Sequence, residues 1–302
     1  MSLLVVGSVA FDSVETPFGK AEEVLGGSAT YFSTAASFFT DVKLVAVVGD
    51  DFPEEHVTFL KSREIDVKGL QKASGKTFRW KGRYDFDLNQ AHTLDTQLNV
   101  FASFKPQIPE EYKDAEYVFL ANIDPVLQLE VLKQVRKPKL VACDTMNFWI
   151  EGKLHELKET LKHVDILTIN EGEARELAKE ASLVKAAKTI LSFGPKTLII
   201  KRGEYGSLMI SDAGIFAAPA YPLESVFDPT GAGDTFAGGF MGYLANTGNL
   251  GDGNIRQAII FGSAMASFNV EEFSLNRLKT LTYSEIEQRY KSFKRLTHFE
   301  DL

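Results

Sequence analysis

The chain has 302 residues and a mass of 33.5 kDa, with 44% apolar and 25% charged residues. That composition excludes collagen-like and disordered classes and suits one large α/β domain or a core with a smaller appendage. With 33 basic against 41 acidic side chains the formal charge is −8, which argues against nucleic acid and anionic membranes as partners. The single cysteine, Cys143, leaves no disulfide framework or cysteine metal cluster. No apolar stretch approaches the ~20 residues of a membrane span. The N-terminus shows no basic region or cleavage site, so a reducing cytoplasm is the expected compartment.

In chain order, short apolar runs fall at 3–6, 44–48, 117–121, 140–143, 166–169 and 198–200. Each is nearly continuous rather than alternating, as strands covered on both faces are. Helical patterns lie between several of them, at 154–164, 173–181 and about 184–192. Strands alternating with helices predict a doubly wound, mostly parallel α/β sheet. Residues 76–104 break the pattern. There Phe78, Trp80, Tyr84 and Phe86 fall at even spacing among charged residues, with Gly82-Arg83 offering a turn or bulge. This predicts strands with one wet face, an inserted β lid to which residues 11–20 add a further short strand. No internal repeat is present.

The strongest chemical signal is the string 227–240, FDPTGAGDTFAGGF. Gly231, Ala232 and Gly233 strip side-chain bulk from a turn that opens a helix running to about Ala245. Such a turn aims N–H groups and the positive end of the helix dipole at an anion, and so suits a phosphate. Asp234 stands at its mouth, where a carboxylate can take a proton from a hydroxyl. A bare GAGD would read as an N-cap aspartate. The Asp-Pro-Thr lead-in and the Gly238-Gly239 pair are not needed for a cap.

This string resembles the C-terminal signature of the ribokinase-like (PfkB) family of sugar and nucleoside kinases, and the resemblance extends over nearly the whole chain. Asp12, at the end of Gly7-Ser8-Val9-Ala10-Phe11-Asp12, resembles the family aspartate that holds substrate hydroxyls. Gly26-Gly27 resembles its diglycine hinge and Val48-Gly49-Asp50-Asp51 its V-G-x-D turn. Asn170-Glu171-Gly172-Glu173 is similar to the N-x-x-E motif associated with Mg²⁺. Lys201-Arg202-Gly203-Glu204-Tyr205-Gly206 resembles the strand-end turn beside the nucleotide.

Several of these residues also have plainer roles. Asp12 can cap a turn, and Asn170 with Glu173 can form a capping box. Lys201 and Arg202 suit either a solvated strand end or nucleotide phosphates. The aromatic run in 78–86 suits the packed face of a lid, and some of those rings, or Tyr31, could instead lie over a sugar or base. His92, His155 and His163 show no metal spacing, and no P-loop, HExxH or CxxC occurs.

The pattern departs from the family in two places. Tyr31 stands where most sugar kinases of the family carry asparagine, and 144–149 reads DTMNFW in place of D-P-N-x-R. Both alter the acceptor pocket, making a plain ribose or fructose acceptor less apt than a nucleoside, a cyclitol or an unusual sugar.

The resemblance implies a ribokinase-like fold and ATP-dependent phosphorylation of a hydroxyl. Asp234 would be the base, with Gly231, Ala232 and Gly233 around the transferring phosphate. Asp12, Gly26, Gly27 and Tyr31 would hold the acceptor. Thr230, Lys201, Gly203 and Asn170 would flank the nucleotide, and Glu173 and Asn170 would position Mg²⁺ through water. A monovalent cation such as K⁺ near Asp228 and a homodimer through the lid are further implications. Two rivals are a silent binding or regulatory protein on the same fold and a nucleotide-binding oxidoreductase. The intact Asp234 turn speaks against the first and the lack of G-x-G-x-x-G against the second.

Overall fold

Runs of Leu, Val and Ile with no polar alternation cannot leave a face in water, so they stack as inner strands with helices on both sides. The computed structural model describes residues 2–298 and 300. Its first half comprises β1 (Ser2–Val6), β2 (Ala10–Thr16), β3 (Gly19–Gly26), α1 (Ser28–Ala36), β4 (Asp41–Val48), α2 (Glu54–Ser62), β5 (Ile65–Lys72), β6 (Phe78–Tyr84) and β7 (Ala91–Gln97). After them come β8 (Tyr117–Leu120), α3 (Pro125–Gln134), β9 (Leu140–Asp144), α4 (Asn147–Gly152), α5 (Leu154–Leu161), β10 (Ile166–Asn170), α6 (Glu171–Ala178), α7 (Leu183–Leu191) and β11 (Thr197–Lys201). The chain ends with β12 (Ser207–Ser211), β13 (Gly214–Ala218), α8 (Ala232–Thr247), α9 (Asp252–Asn269), α10 (Asn276–Thr280) and α11 (Tyr283–Thr297).

Nine strands form the main sheet in the order β13-β12-β11-β10-β9-β8-β1-β4-β5. It is parallel from β5 to β11, and β12 and β13 close one edge antiparallel. Alternate residues of β1 separate the two cores. Leu3 and Val5 join α1, α8 and α9, while Leu4 and Val6 face the side of α5, α6 and α7. The strand order reverses between β1 and β8, so a crevice opens at their carboxyl ends, where α/β proteins bind ligands.

A second, four-stranded sheet in the order β3-β2-β6-β7 lies over that crevice. Two strands come from residues 10–26, where the sequence suggested one short strand across 11–20. The second, β3, is mostly exposed and charged, so it lacks the apolar signal that marks a core strand. Within 76–104, β6 and β7 form a hairpin, and residues 99–103 wind into a 3₁₀ turn leading back to the core.

Candidate active site

Glycines in α8 bring three helices together. A Cβ on Gly238 would lie 2.3 Å from the Phe32 carbonyl oxygen in α1, and one on Gly239 would lie 2.7 Å from Met265 in α9. The first turn of α8 is thereby pinned at the crevice. Gly231, its N-cap, has φ +74° and lies so close to Tyr31 that a Cβ would fall 2.4 Å from the ring. Tyr31 is buried on α1, and its hydroxyl has no protein partner.

The leading N–H groups of a helix lack intrahelical acceptors. Here the Ala232 N–H donates to the Pro229 carbonyl at 3.1 Å, closing the turn. Ala232 thus sits at the closure of the turn, between Gly231 and Gly233. Asp234 follows in the same first turn. It is partly exposed, yet surrounding protein desolvates the carboxyl. That burial, with Asp144 beside it, pushes its pKa up to about 7, against the opposing pull of Lys201.

Lys201 ends β11 and Asp144 ends β9. The Lys201 Nζ lies 2.7 Å from Asp144 Oδ2, with Asp144 buried and Lys201 largely so. It also lies 3.0 Å from the place a Cβ on Gly233 would occupy, directly under the anion turn. Its neighbour Arg202 turns away onto Glu171 at 2.8 Å. Asn170 and Glu173 form a full capping box at the start of α6, each side chain taking the other's backbone N–H at 2.8 Å. Burial and the nearby Asp144 charge push the Glu173 pKa up to about 7.

On the lid side, Asp12 lies on β2 and is buried. A Cβ on Gly26 would collide with its Oδ2 at 1.9 Å, and the Gly27 N–H donates to that oxygen at 3.4 Å. Burial raises the Asp12 pKa to about 7, and the charges of Asp228 and Asp234 add to the effect. Gly27 itself has φ +92° and serves as the N-cap of α1. Asp228, also buried, accepts the Thr230 N–H at 2.9 Å and the Ser274 N–H at 3.2 Å. Burial lifts its pKa. No cationic side chain among the described residues pairs with it.

The lid is docked on this site. Thr230 Oγ1 donates to the Tyr84 hydroxyl at 3.3 Å, and Thr16 Oγ1 donates to the Phe227 carbonyl at 2.9 Å. The Phe18 ring lies 6.4 Å from both Phe86 and Phe227. Asn89, in the β6–β7 loop, reaches Gly203, where a Cβ would meet its Oδ1 at 2.7 Å. Asn269 ties down the turn that opens α8, donating to the Thr230 carbonyl and accepting from Thr235. Asn89 and Asn269 were not singled out by sequence, whereas Tyr84 was read as one of the lid aromatics and Asp144 as the start of the altered 144–149 stretch, not as the partner of Lys201.

A crevice lined by an anion turn, buried carboxylates and a lid is the site of a phosphotransferase acting on a hydroxyl. Residues 3–280 match the model of the pfkB family carbohydrate kinases, and the chain belongs to that family. It is 33% identical over 250 residues to the cytidine kinase of Thermococcus kodakarensis, covering 80% of this chain and 87% of that one. It is 27% identical over 286 residues to a nucleoside kinase of Methanothermobacter thermautotrophicus, covering 89% of each. The nucleoside kinase of Methanocaldococcus jannaschii superposes with a TM-score of 0.78 at 21% identity, over 96% of this chain and 98% of that one. The ribokinase of Giardia lamblia gives 0.81 at 18%, over 96% and 99%. Among the described residues no helix is long and apolar enough to cross a membrane.

Proposed function

We propose that the chain transfers the γ-phosphoryl group of ATP to a hydroxyl of a nucleoside-like or sugar-like acceptor, with Asp234 as general base. The observation that carries this reading is the position of Asp234 in the first turn of α8, beside the Lys201–Asp144 pair and within the electrostatic reach of Asp12. A carboxyl whose pKa is about 7 can accept a proton near neutral pH and release it again. Asp12 orients the acceptor. Its hydroxyl gives its proton to Asp234, the oxygen bonds to the γ-phosphorus, and the bond to the ADP oxygen breaks.

The N–H groups of Gly231 and Gly233, the helix dipole and Lys201 hold the charge that develops. Thr230 and Gly203 border the nucleotide. Mg²⁺ bound with ATP would rest through water on Glu173 and Asn170, whose capping box engages only one oxygen of Glu173. Asp228, buried with only neutral partners, suits a monovalent cation such as K⁺, which would supply positive charge beside the 228–231 turn. The closed lid keeps water from the phosphate. The free edges of its sheet, β3 and β7, are where a second copy would pair.

The names of the two relatives support a nucleoside as the first acceptor to try, and a cytoplasmic small-molecule kinase is the setting we infer. A silent binder would have no need of the Asp234 turn. Release of ADP is measured across nucleosides, sugars and cyclitols. Asp234→Asn is expected to lose about 10²- to 10⁴-fold in rate while still binding ATP. Turnover of that variant at the parent rate would remove Asp234 as the base.

A further inference from the structure

Strands β2 and β6 run parallel, with Asp12 opposite Trp80 and Val14 opposite Gly82. Residues paired across a sheet share a face, and alternate residues of one strand share it too. Trp80, Gly82 and Tyr84 therefore line the same lid face as Asp12. That face looks into the site, since Tyr84 reaches Thr230 there. Gly82 is buried beneath the Trp80 side chain. A Cβ at this position would lie 2.1 Å from the indole Cη2 and 2.4 Å from Cζ2.

The other end of the ring is fixed as well. Trp80 Nε1 donates to Thr93 Oγ1 at 3.2 Å, and Thr93 is the β7 partner of Gly82 beside a bulge at Lys81 and Gly82. A glycine inside a strand weakens it and often marks a close approach. Here the approach is by an indole that stays half-buried. As a core residue it is poorly placed, because its support, β7, is exposed along its whole length.

We propose that Trp80, seated on Gly82, determines acceptor specificity as the lid's stacking surface for a planar ring. This rests on the kinase reading above and narrows the acceptor to a nucleoside. Asp12, in register beside the indole, takes a ribose hydroxyl while the base lies against the ring. An aromatic face held in one orientation before binding loses little entropy on contact.

The test reads Trp80 directly. The chain has two tryptophans. Trp149, on α4 and hydrogen-bonded to Asn122, is replaced by phenylalanine so that Trp80 alone fluoresces. With a non-hydrolysable ATP analogue present, cytidine, uridine and adenosine are expected to quench Trp80 saturably, and ribose and myo-inositol are not. In turnover, Trp80→Ala is expected to raise the nucleoside KM about ten- to hundredfold with kcat changed far less. Trp80→Phe should retain most of the affinity. Gly82→Val, which displaces the indole but keeps it, should resemble Trp80→Ala. If Trp80→Ala does not fold, the quench and the Gly82→Val KM decide.

Absence of any nucleoside quench overturns the proposal, and so does an unchanged nucleoside KM in Trp80→Ala. ADP release with sugars or cyclitols but not nucleosides overturns it and leaves the kinase reading standing. Nucleoside quench without ADP release from any acceptor leaves the stacking surface standing and sinks the kinase reading.

Discussion

The ammonium of Lys201 lies 2.7 Å from the carboxylate of Asp144, and both sit beneath the turn that carries Asp234. Lys201 is the cation that draws the Asp234 pKa down against burial and the Asp144 charge. Replacing it by methionine therefore raises that pKa further above about 7. A base works only when deprotonated, so if Asp234 is the base, as proposed, the rate should rise with pH along a profile displaced to higher pH than the parent's. The measurement is kcat/KM against pH for both proteins. An unshifted inflection in Lys201→Met would separate Lys201 from the base and leave it only a phosphate contact.

Asp12 also couples activity to stability. Its folded pKa, about 7, exceeds the ordinary 3.8, so folding favours the protonated form. The penalty is absent below about pH 4 and complete above about pH 7. Asp12→Asn should raise stability at pH 8 by on the order of 2 kcal/mol and leave it unchanged at pH 4, while impairing turnover. Calorimetric melting at the two pH values checks this, and an equal shift at both would point to packing instead of charge.

Tyr84 connects the lid to the motif through a single hydrogen bond from Thr230. Such a bond contributes about 0.5–1.5 kcal/mol. Tyr84→Phe keeps the ring and should lower kcat/KM by roughly three- to tenfold, with the melting temperature little changed. A loss as large as that of Asp234→Asn would show that the phenol touches the reacting atoms.

Two glycines give a paired prediction about packing. A Cβ at Gly238 meets the Phe32 carbonyl at 2.3 Å, whereas one at Gly253 meets nothing within 4 Å. Gly238→Ala should destabilise by about 1–3 kcal/mol as α1 and α8 are forced apart. Gly253→Ala, in the exposed first turn of α9, should stabilise by up to about 1 kcal/mol. Urea melts of the two variants should move in opposite directions.

The inner strands β1, β4 and β8–β11 were legible because a strand covered on both faces has to be apolar throughout. Strand β5 and the β12–β13 hairpin were not, since they lie at the sheet's edges and mix polar with apolar residues. The Asp234 turn could be read because its glycines and aspartate are contiguous. Lys201 and Asp144 are 57 residues apart, and only the order β9-β10-β11 makes them neighbours. That Ala232 spends its N–H on Pro229 is a matter of backbone torsion at Gly231, which residue types do not encode individually.

The contact of Gly231 with the Tyr31 ring makes the residue proposed to face the acceptor and the turn proposed to hold the phosphate one wall. A larger or smaller side chain at position 31 would be felt by the groups that hold the transferring phosphate. A change of acceptor made through position 31, such as the tyrosine found here, has therefore to be absorbed by the backbone that opens α8.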